Sequence, residues 1–301
     1  MILRDAYSSD KQVDAAYICR AIYNGADTEV NLKAMIADDR EDKTTPHERD
    51  VLLARPRFID RLEDCFFYHT MDLPGFGVVP GQWDLRGRFD DYISGVSVAG
   101  KSVVDIGAAT GFLSFESEQR GASYVLSVDM GDARQQKFIP FKDNLYYRDY
   151  ESFVEYHTAE VDRWKNAYWL CHRLLKSKAE VFYGDIFRLP AALGKFDVVL
   201  VGAVLEHLND QISAMGSIAR LTKETLVIVT PVLETEERIA RFEPTADNPK
   251  YDYTWWRYSI GAYREILKML GFSIVRITDA QYRHVHTDRM ETRSTIVAVR
   301  D

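Results

Sequence analysis

The run Val103-Val104-Asp105-Ile106-Gly107-Ala108-Ala109-Thr110-Gly111 is a short apolar stretch that ends in a turn of small residues. Eighteen residues beyond Gly111 a second apolar run, Tyr124-Val125-Leu126-Ser127-Val128-Asp129, ends in an acid, and the segment between the two is amphipathic. This order predicts a β-α-β unit that binds a nucleotide-like ligand at the carboxyl ends of its strands. Gly107 and Gly111 carry no Cβ, so the backbone there can turn tightly and lie directly against a ligand. Asp129 is positioned to accept both hydroxyls of a ribose.

The spacing is not that of the dinucleotide fingerprint G-x-G-x-x-G, whose glycines make room for a pyrophosphate at a helix N-terminus. It is Asp-x-Gly-x-x-x-Gly with Ala109 in the middle, and it resembles motif I of the class I S-adenosylmethionine (SAM) methyltransferases, commonly D-x-G-x-G-x-G. Ala109 is the departure, and a packing turn of some other α/β domain is the structural alternative. The resemblance implies SAM as cofactor, S-adenosylhomocysteine (SAH) as its product, and contacts from Asp105, Gly107, Ala109, Gly111, Asp129 and Met130.

Further motifs follow in the matching order. Glu180-Val181-Phe182-Tyr183-Gly184-Asp185-Ile186 reads as a third strand, and the resemblance assigns Asp185, with Ile186 beside it, to the adenine. Phe196-Asp197-Val198-Val199-Leu200-Val201-Gly202-Ala203 is dominated by apolar residues, as a strand covered on both faces must be, and brings Gly202 to the cofactor. It runs into Val204-Leu205-Glu206-His207-Leu208, similar to the post-strand segment of many small-molecule methyltransferases. Leu226–Thr230, Phe272–Ile277 and Thr295–Val299 complete the set, the last two as an antiparallel pair. The fold class is therefore α/β: a Rossmann-like, seven-stranded, mostly parallel sheet with helices on both faces.

Residues 1–95 read as a helical N-terminal region plus a loop covering the site, and residues 96–301 as the SAM-binding domain. Val13, Ala16, Tyr17 and Ala21, then Leu32, Met35 and Ile36, space as helical apolar stripes. Phe66 to Asp84 is rich in proline, glycine and aromatics and is expected across the cofactor mouth. Two aromatic inserts, 131–179 and 234–258, follow strand ends, where α/β enzymes build substrate pockets.

With 38 Lys and Arg against 46 Asp and Glu, the net charge of −8 gives no basic field to gather nucleic acid. No apolar run approaches the roughly 20 residues of a membrane span, and the start does not resemble a signal peptide. Cys19, Cys65 and Cys171 are too scattered for a metal site or a disulfide framework, so reduced thiols and a cytoplasmic location are expected. Oligomeric state is left open.

A closer resemblance rests on Phe67-Tyr68-His69-Thr70, Leu73-Pro74-Gly75, Pro80-Gly81-Gln82-Trp83-Asp84, Asp105 to Glu116 and Arg120-Gly121-Ala122. Together these are similar to the methyltransferase family that includes the tRNA wobble-uridine 5-oxyacetate (carboxymethyl) transferases. That family implies tRNA as one possible substrate, whereas the acidic composition favours ordinary SAM and a small-molecule acceptor. A SAM-binding protein kept for regulation or partner binding is the reading from another class.

Methyl transfer is an in-line displacement, so the protein must above all position donor and acceptor. An oxygen acceptor must also lose a proton, which histidine can take near neutral pH. His207, just past the fourth strand, is the candidate base and His69 the second; the structural alternative for His207 is a helix cap. Trp83, Tyr168, Trp255 and Trp256 could stack on the acceptor, and Arg257 could hold an anionic group on it. A divalent ion at Glu206-His207 would need further acids that the spacing does not reveal, so no metal is expected.

Overall fold

The computed structural model describes residues 50, 52–249 and 252–301. The two N-terminal helical stripes, Cys19 and most of the expected cap lie outside the described residues.

A hairpin of β1 (Met71–Leu73) and β2 (Gly77–Val79) leads to the two-residue β3 (Trp83–Asp84) and the one-turn helix α1 (Phe89–Tyr92). The first β-α-β unit is β4 (Ser102–Ile106), α2 (Phe112–Gln119) and β5 (Tyr124–Asp129). A short α3 (Leu145–Arg148) and the long α4 (Tyr150–Leu175) cross to β6 (Glu180–Tyr183). Then come β7 (Phe196–Gly202), α5 (Gln211–Leu221), β8 (Thr222–Thr230), β9 (Ala240–Phe242), β10 (Trp256–Tyr258), α6 (Ile260–Met269), β11 (Phe272–His284) and β12 (Arg289–Arg300).

The main sheet runs β3-β11-β12-β8-β7-β4-β5-β6. Strands β8, β7, β4, β5 and β6 are parallel, while β12 is antiparallel to both β8 and β11. It has eight strands instead of seven because Trp83 and Asp84 pair with His284 and Arg283 on the edge. Strands β11 and β12 also run well past their apolar stretches, as a ribbon whose outer residues are polar.

Alternation along the strands explains the layering. Val103, Val125, Val181, Val198 and Val227 face one core, and their neighbours Val104, Leu126, Phe182, Val199 and Leu226 face the other. The first core is covered by Phe112, Leu113 and Phe115 of α2 and by Ala167, Tyr168 and Leu170 of α4; the second by Ala214, Met215 and Ile218 of α5 and by Tyr263 and Leu267 of α6. Part of the aromatic content of the 131–179 insert is thus buried. Phe153, Tyr168 and Trp169 are buried on α4, which Asp149 starts by accepting the Ser152 amide at 3.1 Å. The 234–258 insert carries the β9–β10 hairpin.

Candidate active site

The loop after β4 bends through three left-handed residues, Gly107 (φ 79°), Ala109 (φ 48°) and Gly111 (φ 87°). Side chains close in on it. A Cβ on Gly107 would stand 2.2 Å from Val204 Cγ2, and one on Gly111 would stand 2.5 Å from the Phe115 ring and 2.8 Å from that of Tyr168. Thr110 accepts both the Tyr68 amide (2.8 Å) and the His69 amide (3.1 Å), which ties the preceding segment to the loop.

Asp129 ends β5 with its carboxylate clamped: Oδ2 accepts the Ala109 amide and Oδ1 the Met130 amide, both at 2.7 Å. Each oxygen keeps capacity for one further donor, as two ribose hydroxyls require. Burial raises the Asp129 pKa, against the pull of those two amides. On the α4 side, Val161, Trp164, Lys165 and Tyr168 leave a cavity of only about 10 Å³, room for one water at most. Lys165 closes that wall, donating to the Gly131 carbonyl at 2.5 Å.

The remaining cofactor candidates share this rim. Asp185 caps the turn Ile186–Arg188 by accepting the Phe187 amide at 3.0 Å, and Gly184 donates to the Asp129 carbonyl at 2.8 Å, bringing the two strand ends together. At Gly202 a Cβ would lie 2.9 Å from Leu113 Cδ1 and 3.1 Å from the Tyr92 hydroxyl, so these two side chains form a close cradle over a backbone that has no room for a Cβ. The tight left-handed turn through Gly107, Ala109 and Gly111, together with the clamped acid, fits a nucleoside sulfonium such as SAM.

Asp105 sits deeper. It is 1% exposed, and its Oδ2 accepts from Ser114 Oγ at 2.7 Å. Ser114 contacts Ser127, and Ser127 contacts the Tyr168 hydroxyl, each at 2.7 Å. Burial, with a lesser push from Asp129, lifts the Asp105 pKa to about 7. Tyr168 therefore belongs to a polar chain beneath the loop.

His207 is half-buried, and its Nδ1 lies 2.8 Å from the Tyr253 carbonyl. A carbonyl only accepts, so Nδ1 carries the proton and Nε2 of the neutral ring is left as the basic nitrogen. His69 is 7% exposed, 5.8 Å from the Phe112 ring, with Nδ1 unpartnered; burial drives its pKa down to about 3. It is a neutral imidazole over the loop, and a weak base.

The aromatic candidates are held by their own polar edges. Trp255 donates its amide to the Glu206 carbonyl at 2.9 Å and its indole to Lys137 at 2.7 Å, and the Trp256 indole donates to Asn209 at 3.2 Å. Trp83 lies under Arg293, whose guanidinium is 5.3 Å from the ring centroid. Arg257 pairs with Glu243 at 3.2 Å, so its charge is already engaged. Among the described residues no group of three or more His, Cys, Asp or Glu gathers as metal ligands, and no helix is long and apolar enough to cross a membrane.

Tyr68 and Tyr92 escaped the sequence reading as site residues, and Glu206, weighed there only for a divalent ion, is an acid 3% exposed. An acid inside the apolar run Val204 to Leu208 was the available signal for Glu206. Tyr92 carried none.

A family profile described as a methyltransferase domain matches residues 85–277. No curated protein matches the chain in sequence. Among solved structures it is similar to magnesium protoporphyrin IX methyltransferase from Synechocystis PCC 6803 with bound SAH (18% identity, 71% of this chain and 80% of that one, TM-score 0.44). It is also similar to a putative SAM-dependent methyltransferase from Listeria monocytogenes (12%, 71% and 96%, TM-score 0.45). A third is 1,6-didemethyltoxoflavin-N1-methyltransferase from Burkholderia thailandensis with 1,6-didemethyltoxoflavin and SAH (14%, 72% and 77%, TM-score 0.41).

Proposed function

Since this chain belongs to the methyltransferase domain family and is a SAM-dependent enzyme, we propose that it methylates an oxygen of a small molecule, a sugar or a biosynthetic intermediate. The observation that carries the proposal is the placement of His207, with Nδ1 fixed to the Tyr253 carbonyl and Nε2 as acceptor, on the turn that follows β7 and Gly202.

When bound, SAM supplies an electrophilic methyl group on a sulfonium. Asp129 would take the ribose and Asp185, with Ile186, the adenine. The loop of Gly107, Ala109 and Gly111, backed by Asp105, would hold the amino-acid end. His207 removes the acceptor's hydroxyl proton through Nε2 as the oxygen attacks, and Trp83, Trp255 and Trp256 exclude water from the reacting pair. With Nδ1 bonded to a carbonyl, the ring is held in one tautomer while the proton moves.

Two buried free thiols, Cys65 and Cys171, favour a reducing cytoplasm. The closer resemblance keeps tRNA as the competing substrate, against a net charge of −8. Incubation with isotopically labelled methyl donor and a metabolite extract tests the proposal: label in a small molecule supports it. Label in tRNA alone, with salt-dependent tRNA binding, replaces it.

A further inference from the structure

At the carboxyl end of β7 a carboxylate is buried with one oxygen unclaimed. Glu206 Oε2 accepts from Thr230 Oγ1 at 3.2 Å, while Oε1 is buried and has no hydrogen-bond partner. Buried polar atoms in native proteins are nearly always satisfied, and an exception calls for an explanation, a bound ion or ligand among them. The backbone around Glu206 is fixed, because its carbonyl receives the Trp255 amide and the His207 amide turns back to Val204 at 3.0 Å.

Three tyrosines from separate parts of the chain lie within reach of the charge of this carboxylate. Burial raises the pKa of Tyr68, Tyr92 and Tyr263, and the charge of Glu206 adds to the rise in each. The Tyr92 hydroxyl also borders the cradle at Gly202, 3.1 Å from where a Cβ would stand, and the Tyr68 ring is 5.0 Å from that of His69. Tyr92 and Gly202 thus meet at the end of β7, and Glu206 stands in the turn that follows it. The charge of Arg293 also reaches Tyr68 and Tyr92, where it lowers the pKa, but that guanidinium is paired with Glu291 at 3.0 Å.

We infer that the acceptor docks by giving a hydrogen bond, from a hydroxyl or an ammonium, to Oε1 of Glu206, with its ring or chain against Tyr68 and Tyr92. Such an acceptor is neutral or cationic at this end, and an anionic group is excluded by like charge. Glu206 then sets specificity while His207 handles the proton. The inference rests on the small-molecule reading of the same site.

The test uses the full chain saturated with SAH and three probes of one shape, benzyl alcohol, benzylamine and benzoate, followed by ligand-observed NMR. Benzyl alcohol and benzylamine should bind, with benzoate weaker than benzylamine by about tenfold or more. In Glu206→Gln, which keeps the shape, benzylamine should lose about tenfold, benzyl alcohol less, and SAH affinity by calorimetry should hold. Benzoate binding as well as benzylamine, no probe binding, retained benzylamine binding in Glu206→Gln, or a parallel loss of SAH affinity would each overturn the assignment. The wild-type series needs no variant, so it decides the assignment even where Glu206→Gln misfolds. Failure of label transfer from the extract counts against the small-molecule reading, whereas the probe series judges Glu206 alone.

Discussion

The amide of Ala109 donates to the Asp129 carboxylate at 2.7 Å, joining residues 20 apart in the chain at the ends of neighbouring strands. An alanine at φ 48° lies in the left-handed region, which L-residues other than glycine seldom occupy. The bond to Asp129 holds it there, and the same carboxylate is the one offered to the ribose. Loop conformation and cofactor recognition are therefore one arrangement.

Asp129→Asn should weaken SAH binding by roughly 10- to 100-fold, because an amide can accept only one of the two N–H groups and turns its own NH₂ toward the other. Titration calorimetry checks it; an affinity within threefold of wild type, on the order of RT, would dissociate Asp129 from cofactor binding.

Ala109→Gly should be tolerated. Removing the Cβ relieves left-handed strain of about 1 kcal/mol and so offsets the extra chain entropy of glycine, leaving denaturation midpoints near wild type and SAH binding intact. Gly111→Ala should do the opposite, since its Cβ meets the Phe115 and Tyr168 rings at a φ of 87°. A loss of about 2 kcal/mol or more is expected in urea denaturation.

Stability should also report on Asp105. Burial raises its folded-state pKa from 3.8 to about 7, so between those values the folded chain holds a proton that the unfolded chain has lost. Its contribution is most favourable below about pH 4 and declines as pH rises to about 7. Asp105→Asn, which keeps an oxygen for Ser114, should match wild type at pH 4 and exceed it at pH 8 by more than ~1 kcal/mol. Urea denaturation of both proteins across that range measures the difference; a constant offset would contradict the shift.

His207→Gln should lower turnover about 100-fold or more with SAH affinity unchanged. His69→Gln should leave the shape of the pH–rate profile from pH 5 to 9 as it is, because burial keeps that imidazole neutral above about pH 3. Unchanged turnover in His207→Gln removes it as the base, and an inflection lost with His69 would transfer the role.

What could be read from the residues was whatever the backbone itself demands. Gly107 and Gly111 stand at positive φ, Asp129 ends its strand, and alternation such as Val103 and Val104 feeds two opposed cores. Less legible were positions decided by distant partners. Tyr168 looks like a pocket aromatic, but α4 turns it inward to Ser127. Strand β3 is two residues long and exists only because β11 offers an edge. Arg257 reads as a free cation until folding places Glu243 beside it. Tyr92 reaches Gly202, and the charge of Glu206, only because the chain brings a short helix before β4 back over the end of β7.

The ribbon of β11 and β12 overhangs its neighbours. The last pairing of β12 with β8 is at Ser294, and from Arg293 outward β12 pairs with β11 alone, while β11 picks up Trp83 at its tip. Trp83, proposed to border the acceptor, thus hangs from a cantilever, while the residues proposed for the methyl donor sit at the ends of the parallel strands behind it. Exchanging that overhang between relatives would retune which guests are admitted and spare the grip on the donor, a division of labour suited to diversification by small steps.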